Sequence, residues 1–222
     1  MSGGLFQKLR GLIAPKRDTA PGTADEDMYR VRLVVGLGNP GGEYAGNRHN
    51  IGFWAMNRLA RRHGIEFSHS GQVSLASGEI NGRQVTLAKP RTFVNKSGVA
   101  VWNLIKRLEL DDAQELLVVC DDIDMPVAKM RLRASGGFGG QNGLKSIIQT
   151  IGSEQFPRLR IGVGRPFAKG EPSYEPSVVG DYLLSDPPPE ERDRLDEAVD
   201  RALTTIELVL SDGIEAAMRK YN

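Results

Sequence analysis

The sequence holds one cysteine, Cys120, and three histidines in 222 residues. A single thiol excludes an intrachain disulfide and suits a reducing compartment, the cytoplasm. Donors this few and this scattered leave a structural zinc site without its usual four ligands. No stretch reaches the roughly 18 consecutive apolar residues that a membrane-spanning helix needs. Neither G-x-x-x-x-G-K-[ST] nor G-x-S-x-G occurs, so the P-loop and the nucleophile elbow are both absent. The remainder is a globular mixture, 40% hydrophobic and 26% charged, long enough for one domain with a sizeable core.

Charge is nearly balanced, +1 overall, but unevenly spread. Residues 129–169 carry eight basic side chains against the single acid Glu154. Residues 186–215 carry ten acids against three arginines. The acidic stretch has helical spacing and reads as a solvated face. The basic stretch is interleaved with glycines and short strands, a pattern that suits a phosphate backbone.

Residues 1–30 read as an appendage. "LFQKLRGLIAP" is short, basic and amphipathic, and "KRDTAPGTADED" is a polar linker. The domain proper is expected over 31–222. "VRLVVGLG" is a buried strand running into glycines, and helical spacing begins after Asn50, a plausible N-cap, and stops near Gly64. Two strand-like runs flank "NGR", a hairpin signature. A helix over "SGVAVWNLIKRL" precedes the strand "ELLVVCDDID". The strand "KMRLRA", the helix "GQNGLKSIIQTIG" and the strand "RLRIGVG" follow. A long helix over 188–210 and a short one through "IEAAMRKYN" close the chain. Alternation of this kind with one hairpin predicts an α/β fold, a single-domain three-layer α/β/α sandwich around a twisted mixed sheet.

"GLGNPGGEYAGNRHN" contains a literal G-x-G-x-x-G at Gly36, Gly38 and Gly41. In a dinucleotide fold the third glycine already lies in a helix whose free amides meet the pyrophosphate. Here helical spacing resumes only at about Asn50, too late for that contact, so no nucleotide cofactor is expected. Cys120, inside an apolar strand run, reads as a packed core thiol. Polar residues gather instead at strand ends: Asn39, His49, Asn95, Asp121 and Asn142. In open α/β sheets, ligands collect there. A histidine held by a carboxylate is the usual metal-free device for activating water.

The segments "VVGLGNPGGEYAGNRHNIGF", "KPRTFVNKSG", "LLVVCDDIDMP", "GGFGGQNGLKSI" and "FPRLRIGVGRP" together resemble the bacterial-type peptidyl-tRNA hydrolases. The resemblance runs from about residue 32 to the C-terminus and leaves out the first 30 residues. It implies hydrolysis of the ester joining a peptide to the 3′-terminal ribose of tRNA, which recycles tRNA from aborted translation. It further implies His49 as general base, Asp121 as the acid that holds its imidazole, and Asn39 as the group distinguishing blocked from free aminoacyl esters. Tyr44, Phe93, Asn95 and Asn142 match peptide- or tRNA-contacting positions. Arg133 and Arg160 match basic residues at the 5′-phosphate end of the acceptor stem. No metal or cofactor is implied, and a monomer is expected because a tRNA-sized ligand occupies one face.

Four positions depart from the family pattern. Gln141 and Phe138 stand where histidines are usual, Val94 replaces a methionine beside the peptide, and Cys120 replaces a histidine before the aspartate. Gln141 can donate a hydrogen bond but cannot carry a proton. Two other readings follow from the residues. One is a non-catalytic RNA-binding paralogue, motivated by the altered glycine-rich loop. The other is a metal-dependent phosphoesterase using Asp121, Asp122 and Asp124; strand alternation, which puts Asp121 and Asp122 on opposite faces, weakens it.

Overall fold

The computed structural model describes residues 31–222; the amphipathic segment and linker expected over 1–30 lie outside the described residues. Seven strands form one mixed sheet: β1 (Leu33–Gly36), β2 (Ser68–Ser70), β3 (Val73–Ile80), β4 (Arg83–Pro90), β5 (Leu116–Asp122), β6 (Met130–Arg133) and β7 (Arg158–Gly162). Their spatial order is β2-β3-β4-β1-β5-β7-β6. β4, β1, β5 and β7 run parallel at the centre. Antiparallel pairings add β3 and β2 on one side and β6 on the other. A separate two-stranded ribbon pairs β8 (Phe167–Ala168) with β9 (Glu171–Pro172).

Five α-helices lie among the described residues: α1 (Ile51–Arg62), α2 (Ser97–Arg107), α3 (Asn142–Ile151), α4 (Pro176–Leu183) and α5 (Pro189–Tyr221). Helices α1 and α5 bury Met56, Leu59, Leu203 and Ile206 against Val34, Leu117 and Val119 on one face of the sheet. On the other face, Val101 and Leu104 of α2 and Leu144 and Ile147 of α3 meet Leu33, Val35, Val118 and Cys120. Both faces are covered, so the central strands read as continuous apolar runs rather than alternating ones. The three layers expected from the alternation are present.

The hairpin forms where expected. Asn81 and Gly82 both take positive φ, 50° and 77°, as a tight turn matching strand twist requires. The terminal helix is interrupted at Gly213 (φ 83°), giving the anticipated long and short pieces. The ribbon β8–β9 and helix α4 were not anticipated. His63 is half-buried and its Nε2 lies 2.9 Å from Glu207 of α5.

The opening glycines serve packing between helix and sheet. A Cβ on Gly36 would lie 2.3 Å from the Gly52 carbonyl oxygen and 2.6 Å from Met56 Cγ. A Cβ on Gly52 would lie 2.5 Å from the Leu37 nitrogen and from the Val119 oxygen. Helix α1 therefore crosses β1 and β5 at backbone contact, and its N-terminal end arrives directly above the end of β5.

Candidate active site

His49 occupies a single helical turn, Arg48–Asn50, just before α1. The close crossing of α1 over the sheet sets this turn against the carboxyl end of β5. Alternation along β5 puts Asp121 on the face of Val119, toward α1, and Asp122 on the face of Cys120. His49 Nδ1 lies 2.9 Å from Asp121 Oδ1, and both side chains are nearly buried. An ionised carboxylate accepts only, so the proton of a neutral imidazole stays on Nδ1 and Nε2 is left with its lone pair. Burial lowers the His49 pKa. The charge of Asp121 and its hydrogen bond raise it by more, so the net displacement from the ordinary 6.5 is upward.

Asn39 follows β1 and is braced on both sides. Its backbone N–H donates to Asn50 Oδ1 (2.8 Å), and its carbonyl accepts from Asn50 Nδ2 (2.9 Å). Asn50 stands at the N-cap position of α1, but its side chain makes no cap there and is spent on this clasp. Asn39 Oδ1 accepts the Val94 N–H at 2.9 Å. A backbone amide can only donate, so the Asn39 amide is fixed, with its NH₂ left over for the cleft it lines.

That cleft, of about 560 Å³, is lined by Asn39, His49, Phe93, Asn95, Asp121 and Asn142. Pro176, Val179, Gly180 and Leu183 of α4 add an apolar wall. It opens at the carboxyl ends of β1, β4 and β5, where β4 and β5 lie on opposite sides of β1, the switch point at which α/β sheets bind ligands. Asn95 and Asn142 make no side-chain hydrogen bond among the described residues. Phe93 is 55% exposed and meets Tyr44 edge-to-face, centroids 6.4 Å apart. Tyr44 stands behind Phe93 and does not line the cleft.

Arg48, adjacent to His49, ties the turn to α4 and α5. It forms a fork with Glu191 (Nε–Oε1 2.6 Å, Nη2–Oε2 3.0 Å) and lies 4.1 Å from the Tyr182 ring centroid. It also donates to Ser185 Oγ at 2.7 Å and to the Tyr182 carbonyl at 3.2 Å. The apolar wall is thus anchored beside the histidine. Nothing local in the sequence singled out Arg48; its partners lie more than 130 residues away.

The two arginines expected to grip phosphate differ. Arg133, on β6, is exposed and lies outside the cleft. Arg160 is turned inward: it binds Asp122 Oδ2 at 2.9 Å and the carbonyls of Gly137 (3.2 Å) and Phe138 (2.8 Å). Arg158 is 1% exposed and donates to the carbonyls of Gly136, Gly137, Glu154 and Phe156. Its guanidinium is pushed down to about 10 by burial and then by Arg160. Both arginines brace the glycine-rich loop that leads into Gln141.

In the sequence Gln141 stands out only as a departure from the family pattern. In the structure it caps α3, its Oε1 accepting from the amides of Gly143 (2.5 Å) and Leu144 (3.3 Å). Its Nε2 donates to Asp121 Oδ1 at 2.8 Å. The N-cap position before an apolar helical run was the one signal that could have found it.

The three carboxylates of "DDID" do not converge. Asp121 holds His49, Asp122 holds Arg160, and Asp124 pairs with Arg165. Among the described residues no group of three or more His, Cys, Asp or Glu side chains is placed to hold a metal ion. Burial and the neighbouring Asp121 charge push the Cys120 thiol well up, away from a nucleophilic thiolate. No described helix is long and apolar enough to cross a membrane.

A family model described as peptidyl-tRNA hydrolase matches residues 33–222. The peptidyl-tRNA hydrolase of Chloroflexus aggregans is 46% identical over 191 residues, covering 86% of this chain and 98% of that protein. That of Dehalococcoides mccartyi is 41% identical over 193 residues, covering 86% of this chain and all of its own. The crystal structure of peptidyl-tRNA hydrolase from Acinetobacter baumannii superposes with a TM-score of 0.80 at 36% identity. It covers 88% of this chain and 96% of that one.

Proposed function

The chain belongs to the peptidyl-tRNA hydrolase family and is a carboxylic ester hydrolase of peptidyl-tRNA; we propose that it does this chemistry through water activated at His49. The observation that carries the reading is the 2.9 Å contact between His49 Nδ1 and Asp121 in a histidine that lines the cleft, a contact that leaves Nε2 free of Asp121. Water at Nε2 attacks the ester carbonyl as its proton passes to the imidazole. Asp121 stabilises the cation that forms, the same interaction that raises the His49 pKa. Charge then builds on the carbonyl oxygen, where the free amides of Asn95 or Asn142 donate. Collapse breaks the bond to the ribose oxygen, which takes back the proton from His49. Peptide carboxylate and tRNA with a free hydroxyl leave. General-base help of this kind is worth about 10²–10⁴-fold.

The Asn39 NH₂ is the fixed donor suited to a peptide carbonyl next to the scissile ester, a group that a free aminoacyl ester lacks. The apolar wall of α4 receives the peptide side chain. Phe93, supported by Tyr44, offers a stacking face at the rim. Arg133 supplies an open cation for phosphate, while Arg160 acts through the loop it braces. The monomer is the working unit, and translation places the reaction in the cytoplasm.

A peptidyl-tRNA release assay tests this, with wild type, His49→Ala and added EDTA. Turnover falls at least 100-fold in the variant while tRNA affinity stays within a few-fold, and EDTA changes nothing. Tight tRNA binding without turnover in the wild type would instead establish an RNA-binding paralogue. Loss of turnover with EDTA would restore the metal reading.

A further inference from the structure

One oxygen, Asp121 Oδ1, accepts two hydrogen bonds: from His49 Nδ1 at 2.9 Å and from Gln141 Nε2 at 2.8 Å. Gln141 is 6% exposed and its amide cannot turn over, because Oε1 already caps the Gly143 and Leu144 amides of α3. We infer that Gln141 is a positioning residue that moderates the hold of Asp121 on the His49 imidazole, keeping the base available at lower pH than an unshared carboxylate would allow.

A second donor on the same oxygen draws off part of the charge that would otherwise favour the imidazolium. The amide does not titrate, so the moderation is the same at every pH. Other charges facing this corner are spent or remote. Asp122 lies across β5 and is paired with Arg160. Arg48 points away to Glu191. Lys96 sits exposed at the rim, and Lys145 lies over Phe138. The cleft-lining residues of α4 and the first turn of α1 carry no charge.

The inference rests on His49 being the base, and the test separates the two claims. In the full chain, Gln141→Ser keeps an N-cap oxygen but cannot reach Asp121, and Gln141→Met keeps length without a donor. The His49 ring is titrated by NMR, which needs no turnover, and kcat/KM is followed against pH. Both variants raise the His49 pKa by about half to one unit. Below the wild-type inflection they lose roughly three- to tenfold in kcat/KM, and the loss is recovered above the shifted one. An unmoved or lowered His49 pKa, or a loss equal at all pH values, overturns the inference. If His49→Ala is as active as wild type, the general-base reading fails, and the NMR shift still decides the role of Gln141.

Discussion

Gly52→Ala places one methyl group where the fold has no room for it, and its cost can be worked from contact distances. The new Cβ would lie 2.5 Å from the nitrogen and oxygen of Leu37 and from the Val119 oxygen, where ordinary contact begins at 3.4 Å. All three obstacles are backbone atoms, one on β5 and two just past the end of β1, so α1 must withdraw by roughly 1 Å. Overpacking of this kind costs about 1–3 kcal/mol, and rigid neighbours put it toward the upper end. The consequence for turnover is larger. His49 lies three residues before Gly52 and meets Asp121 at 2.9 Å, so the withdrawal opens that bond. A misplacement of about 1 Å at a reacting group costs on the order of 100-fold. Urea unfolding and peptidyl-tRNA release, measured on the same preparation, give the two quantities. Gly36→Ala attacks the same contact from the strand side and should behave alike, the pair adding less than the sum. Stability within about 0.5 kcal/mol of wild type together with near-normal turnover would refute the claim that backbone contact here sets the site.

Three further outcomes follow from the same geometry. kcat/KM should rise with pH as His49 loses its proton, with an inflection above 6.5. The linked stability runs the other way: it is whole below the unfolded pKa and lost as pH rises through the raised folded value, a component absent from unfolding curves of His49→Ala. Asn39→Asp keeps an acceptor for the Val94 N–H but replaces the cleft-facing NH₂ with a carboxylate oxygen. It should fold normally by circular dichroism and lose about 10²–10³-fold in kcat/KM. Arg48→Ala leaves Glu191 largely buried without its partner and should cost about 3–5 kcal/mol in urea unfolding. Arg48→Lys recovers only part, since an ammonium cannot make the fork.

Much of the site was legible because strand periodicity is local. Alternation through "VVCDD" already separated Asp121 from Asp122, and the late return of helical spacing already argued against a phosphate under the glycines. The pairing of residues 49 and 121 came only from resemblance, since no local pattern joins positions 72 apart. Asn50 shows the limit of a propensity argument. It sits where an N-cap is expected, but Asn39 offers its side chain a buried two-bond clasp that outweighs a cap. Arg160, which the resemblance aligned with phosphate-gripping residues, is held by Asp122 and two carbonyls, partners 22 to 38 residues away that no local pattern announces.

By itself the sequence determined the layers, the strands buried on both faces, the hairpin turn and the face on which each carboxylate emerges. These follow from side-chain periods of 2 and 3.6 and from residues that tolerate positive φ. Tertiary structure alone decided that α4 walls the cleft, that Arg48 anchors it, and that Gln141 shares the oxygen held by His49. Those outcomes depend on which buried donors meet which acceptors once distant segments pack. A buried polar group takes whatever partner the packed neighbours supply, whatever its distance along the chain.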